Sequence, residues 1–447
     1  MKSATTTAPL DKLRIFTIRG VQMRTFHITW LTFFVCFFGW FGLAPLMPTI
    51  REDLNLTKAQ VGNTIIAAVS ATIIARLIIG RLCDTWGPRK TYTALLVLGA
   101  LPVMGVGLAQ SYSSFLLFRL AIGVIGASFV ITQFHTSMMF APAIKGTANA
   151  VAGGWGNLGG GITNMVMPLI FATIVGMGYT KGEAWRFAML VPGAMLLAMA
   201  VLYWRFTKDT PAGNYQEIGY KPATQKANWR VLSDWRVWAL ALGYAVCFGM
   251  EITFDNVAAL HFVDSFQLSQ SSAGFWAGVF GFMNIFARAL GGLAADKVGR
   301  KHGLRGKGLL LASVLLLEGA GLIWFATAGS LWMAIGSMLV FALFLKMANG
   351  ATYAITPFVD EKNVGMISGI VGAGGNLGGM LFGFLFKSTA ISYTQAFIYI
   401  GFAVVAVSLI VLLTRFDKRQ ATVPANAVLE PALVPAETAV DTSGKLN

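Results

Sequence analysis

The chain is a succession of long apolar runs: 28–50, 60–83, 91–110, 112–140, 146–175, 186–206, 233–262, 270–296, 307–327, 329–356, 363–388 and 391–415. A helix that crosses a bilayer takes about 20 mostly apolar residues, whereas a barrel strand takes about 10 that alternate apolar and polar. These runs are continuous and do not alternate. The expected fold is therefore all-α and polytopic, with twelve transmembrane helices numbered 1 to 12 in chain order. Only 12% of the residues are charged, about half the roughly 25% of a soluble domain. Mean hydropathy is +0.66, far from the low values of a disordered chain. A water-soluble enzyme or a nucleic-acid-binding protein is excluded, although the net charge is +15.

The polar stretch 207–232 divides the helices six and six. The expected domains are an N-terminal segment 1–27, a bundle 28–206, a linker 207–232, a bundle 233–415 and a tail 416–447. The tail, rich in Ala, Pro, Val and Thr, reads as disordered. The N-terminus lacks the short apolar core and cleavage site of a secretory signal. Cys36, Cys83 and Cys247 have no metal or redox spacing, and the four histidines form no ligand set. No cofactor or metal is expected.

Lysine and arginine set orientation. One side of the expected topology holds only Arg51, Lys58, Lys181, Arg186 and Lys387, and four cations lie inside helices: Arg76, Arg119, Arg288 and Lys346. The other 25 of the 34 fall on the side of the termini. Both termini are therefore expected in the cytoplasm, with the chain in the cytoplasmic membrane. The positive charge is a topology signal, and nucleic acid is not an expected partner.

The two halves repeat. ARLIIGRLCDTWGPRK (75–90) in helix 2 echoes ARALGGLAADKVGRK (287–301) in helix 8. Arg76, Gly80 and Asp84 match Arg288, Gly292 and Asp296 at a constant offset of 212. GGWGNLGGG (153–161) in helix 5 echoes GAGGNLGGM (372–380) in helix 11, setting Asn157 opposite Asn376. Two six-helix halves in one orientation make a transporter architecture with its substrate site near mid-membrane between them. The loop motif Gly80, Asp84, Gly87, Arg89, Lys90, with its weaker copy Gly292, Asp296, Gly299, Arg300, Lys301, resembles that of the major facilitator superfamily. Salt bridges at Asp84 and Asp296 there can latch the halves and break on each cycle; a plain cap-and-topology cluster is the alternative.

Arg76 and Arg288 are the expensive residues. Arginine at a helix centre costs about 2.5–3.5 kcal/mol on insertion scales. Two at matched depths on opposite halves are expected to face the interior, with no acid within a turn on either helix. A guanidinium is a planar fork of donors that fits a planar oxyanion. Two forks can clamp a small flat anion, leaving one positive charge uncompensated. The empty carrier is then expected to reorient poorly, which requires exchange of anions or a co-transported charge. Lys346 in helix 10 is a third buried cation, expected to snorkel or to pair with an acid.

The glycines at helical spacing, Gly153, Gly156 and Gly160 and then Gly372, Gly375 and Gly379, let helices approach closely. They leave Asn157 and Asn376 unexplained, and both are candidate anion contacts. Paired G-G-x-G-N-x-G-G stretches in helices 5 and 11, with one arginine each in helices 2 and 8, resemble the nitrate/nitrite porter family, and within it the assimilatory type more than the respiratory exchangers. The resemblance implies that Arg76 and Arg288 clamp nitrate, that Asn157 hydrogen-bonds it, and that Phe129, Tyr244 and Phe248 shape the pocket.

Tyr244, Phe248, Glu251 and Asp255 lie on one face of helix 7. A buried carboxylate can carry a proton, so Glu251 and Asp255, with Lys346 as the nearby cation, are candidates for proton coupling. Glu318 and His135 are further titratable groups inside helices. The expected function is secondary active transport of nitrate, with nitrite, by alternating access as proton-coupled uptake through one chain. The alternatives are nitrate/nitrite exchange, or carriage of another small monovalent anion such as a carboxylate. No nucleophile–base pair, metal set or phosphate loop speaks for an enzyme or an ATP-driven pump.

Overall fold

The computed structural model describes residues 8–141, 144–220, 229–360 and 363–417. Residues 1–7, part of the 207–232 linker and the tail from 418 lie outside the described residues. The spans are α1 (Val21–Phe41), α2 (Lys58–Trp86), α3 (Pro88–Leu108), α4 (Tyr112–Met139), α5 (Lys145–Gly176), α6 (Lys181–Phe206), α7 (Trp235–Phe266), α8 (270–302), α9 (304–326), α10 (Leu331–Val359), α11 (Val364–Lys387) and α12 (Tyr393–Leu413). Ten helical stretches among the described residues are long and apolar enough to cross a membrane, one of them the 57-residue Gln270–Ala326 that holds α8 and α9. With α1, whose 21 residues span about 32 Å at 1.5 Å each, the crossings are twelve.

The helix starts follow a rule. Every even-numbered helix begins on the face opposite the termini with a Ser or Thr N-cap: Thr57, Ser111, Thr180, Ser269, Ser330 and Ser392. Each side-chain oxygen accepts from a backbone N–H three residues on, at 3.1–3.3 Å. Such a cap supplies a partner for one of the four free N–H groups at a helix start.

Two boundaries differ from expectation. Helix 1 was expected over 28–50. The structure starts it at Val21, ends it at Phe41, and places a separate short helix at Met47–Asp53 with proline at its start. Proline cannot continue a helix but suits its first turn, so Pro45 and Pro48 divide the apolar run. The break expected over 297–306 is helical on both sides, with one non-helical residue, Gly303, at φ 61°.

Helices α1–α6 pack together, as do α7–α12, and the halves meet mainly where α2 crosses α11 and α5 crosses α8. Glycine lies on glycine at the second crossing: a Cβ on Gly161 would come within 2.6 Å of Gly281 backbone atoms. On the face away from the termini, Arg51 binds Asp264 across the halves through two bonds of 2.8 and 2.9 Å, and Thr49 donates to Gln270 at 2.6 Å. On the terminal face, among the described residues, the charged motif does not cross. Asp296 binds Lys307 within its own half at 2.7 Å, and exposed Asp84 enters no ion pair with a described residue. The expected latch is therefore not made in this state; the closed seal is on the other face.

That seal is testable. Arg51→Asp sets two carboxylates against each other, and a half-exposed pair of this kind is worth up to about 1 kcal/mol. A cysteine placed at Asn256, which is 5% exposed, should react with an impermeant maleimide from that face about fivefold faster. Adding Asp264→Arg should restore slow labelling.

Candidate functional site

Arg76 and Arg288 each lie 18 residues after the first residue of their helix. That carries both roughly 27 Å from the capped face. They are 8% and 7% exposed, and each reaches into the opposite half. Arg76 donates through Nη1 to the Gly372 carbonyl of α11 at 2.9 Å. Arg288 faces Asn157 of α5, whose amide oxygen, turned to the cation, accepts from Nη1 at 2.5 Å and Nη2 at 3.3 Å. The two Gly-Asn stretches thus hold the two guanidiniums crosswise. Asn376 joins through the same acceptor, donating to the Gly372 carbonyl at 3.2 Å.

An arc of four rings connects the cations. Arg76 lies over Phe129 at 5.3 Å and Arg288 over Phe248 at 5.9 Å. Between them Phe129 meets Tyr353 at 6.4 Å, Tyr353 meets Tyr244 edge-on at 5.1 Å, and Tyr244 stacks on Phe248 at 5.0 Å. Such cation–π contacts stabilise a buried guanidinium without using its N–H donors. Among the described residues Nε and Nη2 of Arg76 and Nε of Arg288 have no acceptor. Buried donors left so are costly, and an anion with several oxygens supplies what they lack.

The glycines make the room. A Cβ on Gly372 would lie 3.5 Å from both Arg76 Nη1 and the Tyr353 hydroxyl, and one on Gly153 would lie 3.9 Å from Arg288 Nη1. At Gly375 it would press to 2.7 Å on both Tyr244 and Phe248. Gly154, Gly156, Gly160 and Gly379 pack elsewhere, against Asn284, Phe33, Asp255 and Ile252.

Arg288 has no acid within a turn on its own helix, but one reaches it from another helix. Glu251 Oε2 on α7 lies 3.5 Å from its Nη2, and Oε1 lies 2.7 Å from Lys346 Nζ. Asn284 and Asn349 donate to the same carboxylate at 2.8 and 2.6 Å. The acid was invisible on helix 8 because it stands on helix 7. Lys346 is therefore paired, and two positive groups share one negative one. Asp255 lies apart, on the α5 side: its Oδ2 is 3.1 Å from a Cβ position at Gly160, and its Oδ1 has no donor among the described residues. Glu318 on α9 is fully buried, with no donor to either oxygen among the described residues. His135 is structural, engaged with the Tyr203 hydroxyl at 2.5 Å and the Lys208 carbonyl at 2.7 Å.

The loop motif acts locally. Gly87 has φ 87°, and a Cβ there would strike the Asp209 carboxylate at 2.6–2.8 Å. That carboxylate accepts from the backbone N–H of Arg89 at 2.8 Å and of Tyr215 at 3.1 Å. The Arg89 side chain rests on the ring and carbonyl of Trp204. Gly80 and Gly292 have open space, with nearest atoms at 3.9 Å, while Gly299 abuts Lys307 and Arg300 is exposed.

Sequence reasoning missed Tyr353, Asn349 and Asn284. Lys346, Asn349 and Tyr353 are spaced three and four on helix 10, a face legible beside the lysine. Asn284 lies in the 3-10 turn Met283–Ile285 just before Arg288, where no repeat marks it. Asn157→Ala should leave the fold intact by thermal melting. It should weaken binding of a planar oxyanion about tenfold, near 1.4 kcal/mol, the lower end for a hydrogen bond to a charge.

The chain matches the family model described as Major Facilitator Superfamily over residues 29–357 and 240–439. It is 38% identical over 414 residues to "High affinity nitrate transporter 2.5" of Arabidopsis thaliana, covering 91% of this chain and 82% of that one. It is 29% identical to "Nitrate/nitrite transporter NrtP" of a Picosynechococcus strain, covering 81% and 84%. Among solved structures it is similar in fold to a bacterial homolog of the lysosomal transporter Spinster (TM-score 0.64, 17% identity, 88% and 95% covered). A D-xylose-proton symporter is similar too (TM-score 0.64, 15% identity, 86% and 96% covered).

Proposed function

The chain belongs to the Major Facilitator Superfamily, and from that premise we propose that it moves nitrate, with nitrite, across the cytoplasmic membrane by alternating access. One observation carries the reading. Two buried guanidiniums, one from each half, end the same aromatic arc with donors left over. Nitrate is flat, singly charged and ringed by acceptors, so it satisfies donors from both sides at once. Binding it draws the halves together at the site, which favours opening the Arg51–Asp264 seal or closing the terminal face. The basic bias supports cytoplasmic termini, and a single chain supplies both walls, so a monomer suffices.

Proton-coupled uptake is the mode the geometry supports best, with Asp255 as the proton carrier. Glu251 accepts from two amides and faces two cations, and protonating it would leave Lys346 and Arg288 uncompensated. Asp255 has an oxygen with no donor, and an ionised carboxylate there is costly to bury. It sits where α5 of one half meets α7 of the other, so opening the capped face exposes it to water from that side. Nitrate/nitrite exchange is the second reading. Arg76 favours it, since its only hydrogen-bond acceptor among the described residues is a carbonyl.

Uptake into proteoliposomes tests the assignment. Lysine cannot present a fork, so Arg76→Lys or Arg288→Lys should each lower nitrate uptake about a hundredfold, near 2.7 kcal/mol and within the range for bonds to a charged group. Formate uptake in place of nitrate would select the carboxylate-carrier alternative. Asp255→Asn should remove acceleration by an inward proton gradient while nitrate/nitrite counterflow continues. Wild-type gradient dependence in that variant would remove Asp255 from the coupling.

A further inference from the structure

A carrier that closes around two guanidiniums faces a difficulty when it is empty, because both charges are then enclosed without an anion. The surroundings of Glu251 answer it for one of the two, Arg288. Three groups anchor this carboxylate from the rest of the C-terminal half: Lys346 at 2.7 Å, Asn349 at 2.6 Å and Asn284 at 2.8 Å. The contact with Arg288 is longer, at 3.5 Å, a charge contact outside good hydrogen-bonding range. Glu251 is thus fixed by its anchors and only loosely engaged by the substrate-facing arginine.

We propose that Glu251 is a tethered counter-anion, a positioning residue that partly offsets the Arg288 charge whenever the substrate is absent and so lets the empty carrier reorient. The proposal rests on the anion-carrier reading above. When an anion arrives, the Arg288 fork turns to it, and Glu251 keeps Lys346, Asn284 and Asn349. When the anion leaves, Arg288 falls back on the carboxylate. With the anion bound, two cations face two anions; without it, Arg288 and Lys346 share the one carboxylate, so a single positive charge is left over instead of two. Lys346 has a definite part: it is fully buried over Phe280 at 4.2 Å, and it holds the carboxylate back from collapsing onto Arg288. The other acids facing this cluster do not substitute for Glu251. Asp255 lies one turn further along α7 against α5, and Glu318 lies on α9 with no donor to either oxygen among the described residues.

The device separates two transport modes. Exchange moves a loaded carrier in both directions and needs no tether, whereas net uptake needs an empty return. The test uses the full chain in proteoliposomes, comparing nitrate uptake into empty vesicles with counterflow against internal nitrite. Glu251→Gln should lower net uptake relative to counterflow by about tenfold or more, since a buried cation loses its counter-charge. Glu251→Asp, which keeps the carboxylate but draws it back by one methylene, should give an intermediate ratio. The double variant Glu251→Gln with Lys346→Met restores the sum of charges without restoring an anion beside Arg288. Its ratio should stay low, and recovery to the wild-type ratio would show that total charge, not the tether, governs the return. A Glu251→Gln or Glu251→Asp ratio equal to wild type also overturns the proposal. Nitrate-dependent thermal stabilisation in detergent identifies which variants are folded. A wild-type protein that moves nitrate in neither mode would instead overturn the carrier reading itself.

Discussion

A guanidinium enclosed by helices has to find acceptors, and Arg76 and Arg288 find theirs on the half of the molecule to which they do not belong. Arg76 of α2 is held by the Gly372 carbonyl of α11, and Arg288 of α8 by Asn157 of α5. The chain's internal repeat makes this exchange of partners symmetric. It also means that the charges needed to bind an anion are among the groups that tie the halves together. Ligand binding and the relative position of the halves are one equilibrium, which is the requirement for alternating access.

The remaining architecture permits motion about that point. Glycines at the α5–α8 crossing bring backbone against backbone, so that surface has no side-chain ridges to unlock. The seal away from the termini is a partly exposed ion pair and a hydrogen bond, Arg51–Asp264 and Thr49–Gln270. Interactions of this kind are weak enough to break in a cycle. The charged loop motif, by contrast, is engaged inside each half in this state, at Asp209 with Gly87–Arg89 and at Lys307 with Asp296.

Much of this was legible in the residues. Long continuous apolar runs declare helices, the offset of 212 declares two halves, and a charge too costly for lipid declares an interior face. What stayed hidden has a common cause. A sequence shows neighbours on one helix, whereas Glu251 meets Arg288 and Lys346 from two other helices, and Tyr353 closes the ring arc from the helix that carries Lys346. The α1 boundary failed for a local reason: hydropathy does not register that Pro45 and Pro48 split an apolar run. The latch was read from a real motif, but which face is sealed depends on the conformation adopted, and composition carries no record of that.

The position of the bound anion decides the account most directly. A structure of the protein with nitrate should show the anion between the two guanidiniums, against the arc of Phe129, Tyr353, Tyr244 and Phe248, touching Arg76 and Arg288 at once. Nitrate bound by one half alone, or at a place that neither arginine reaches, would contradict it.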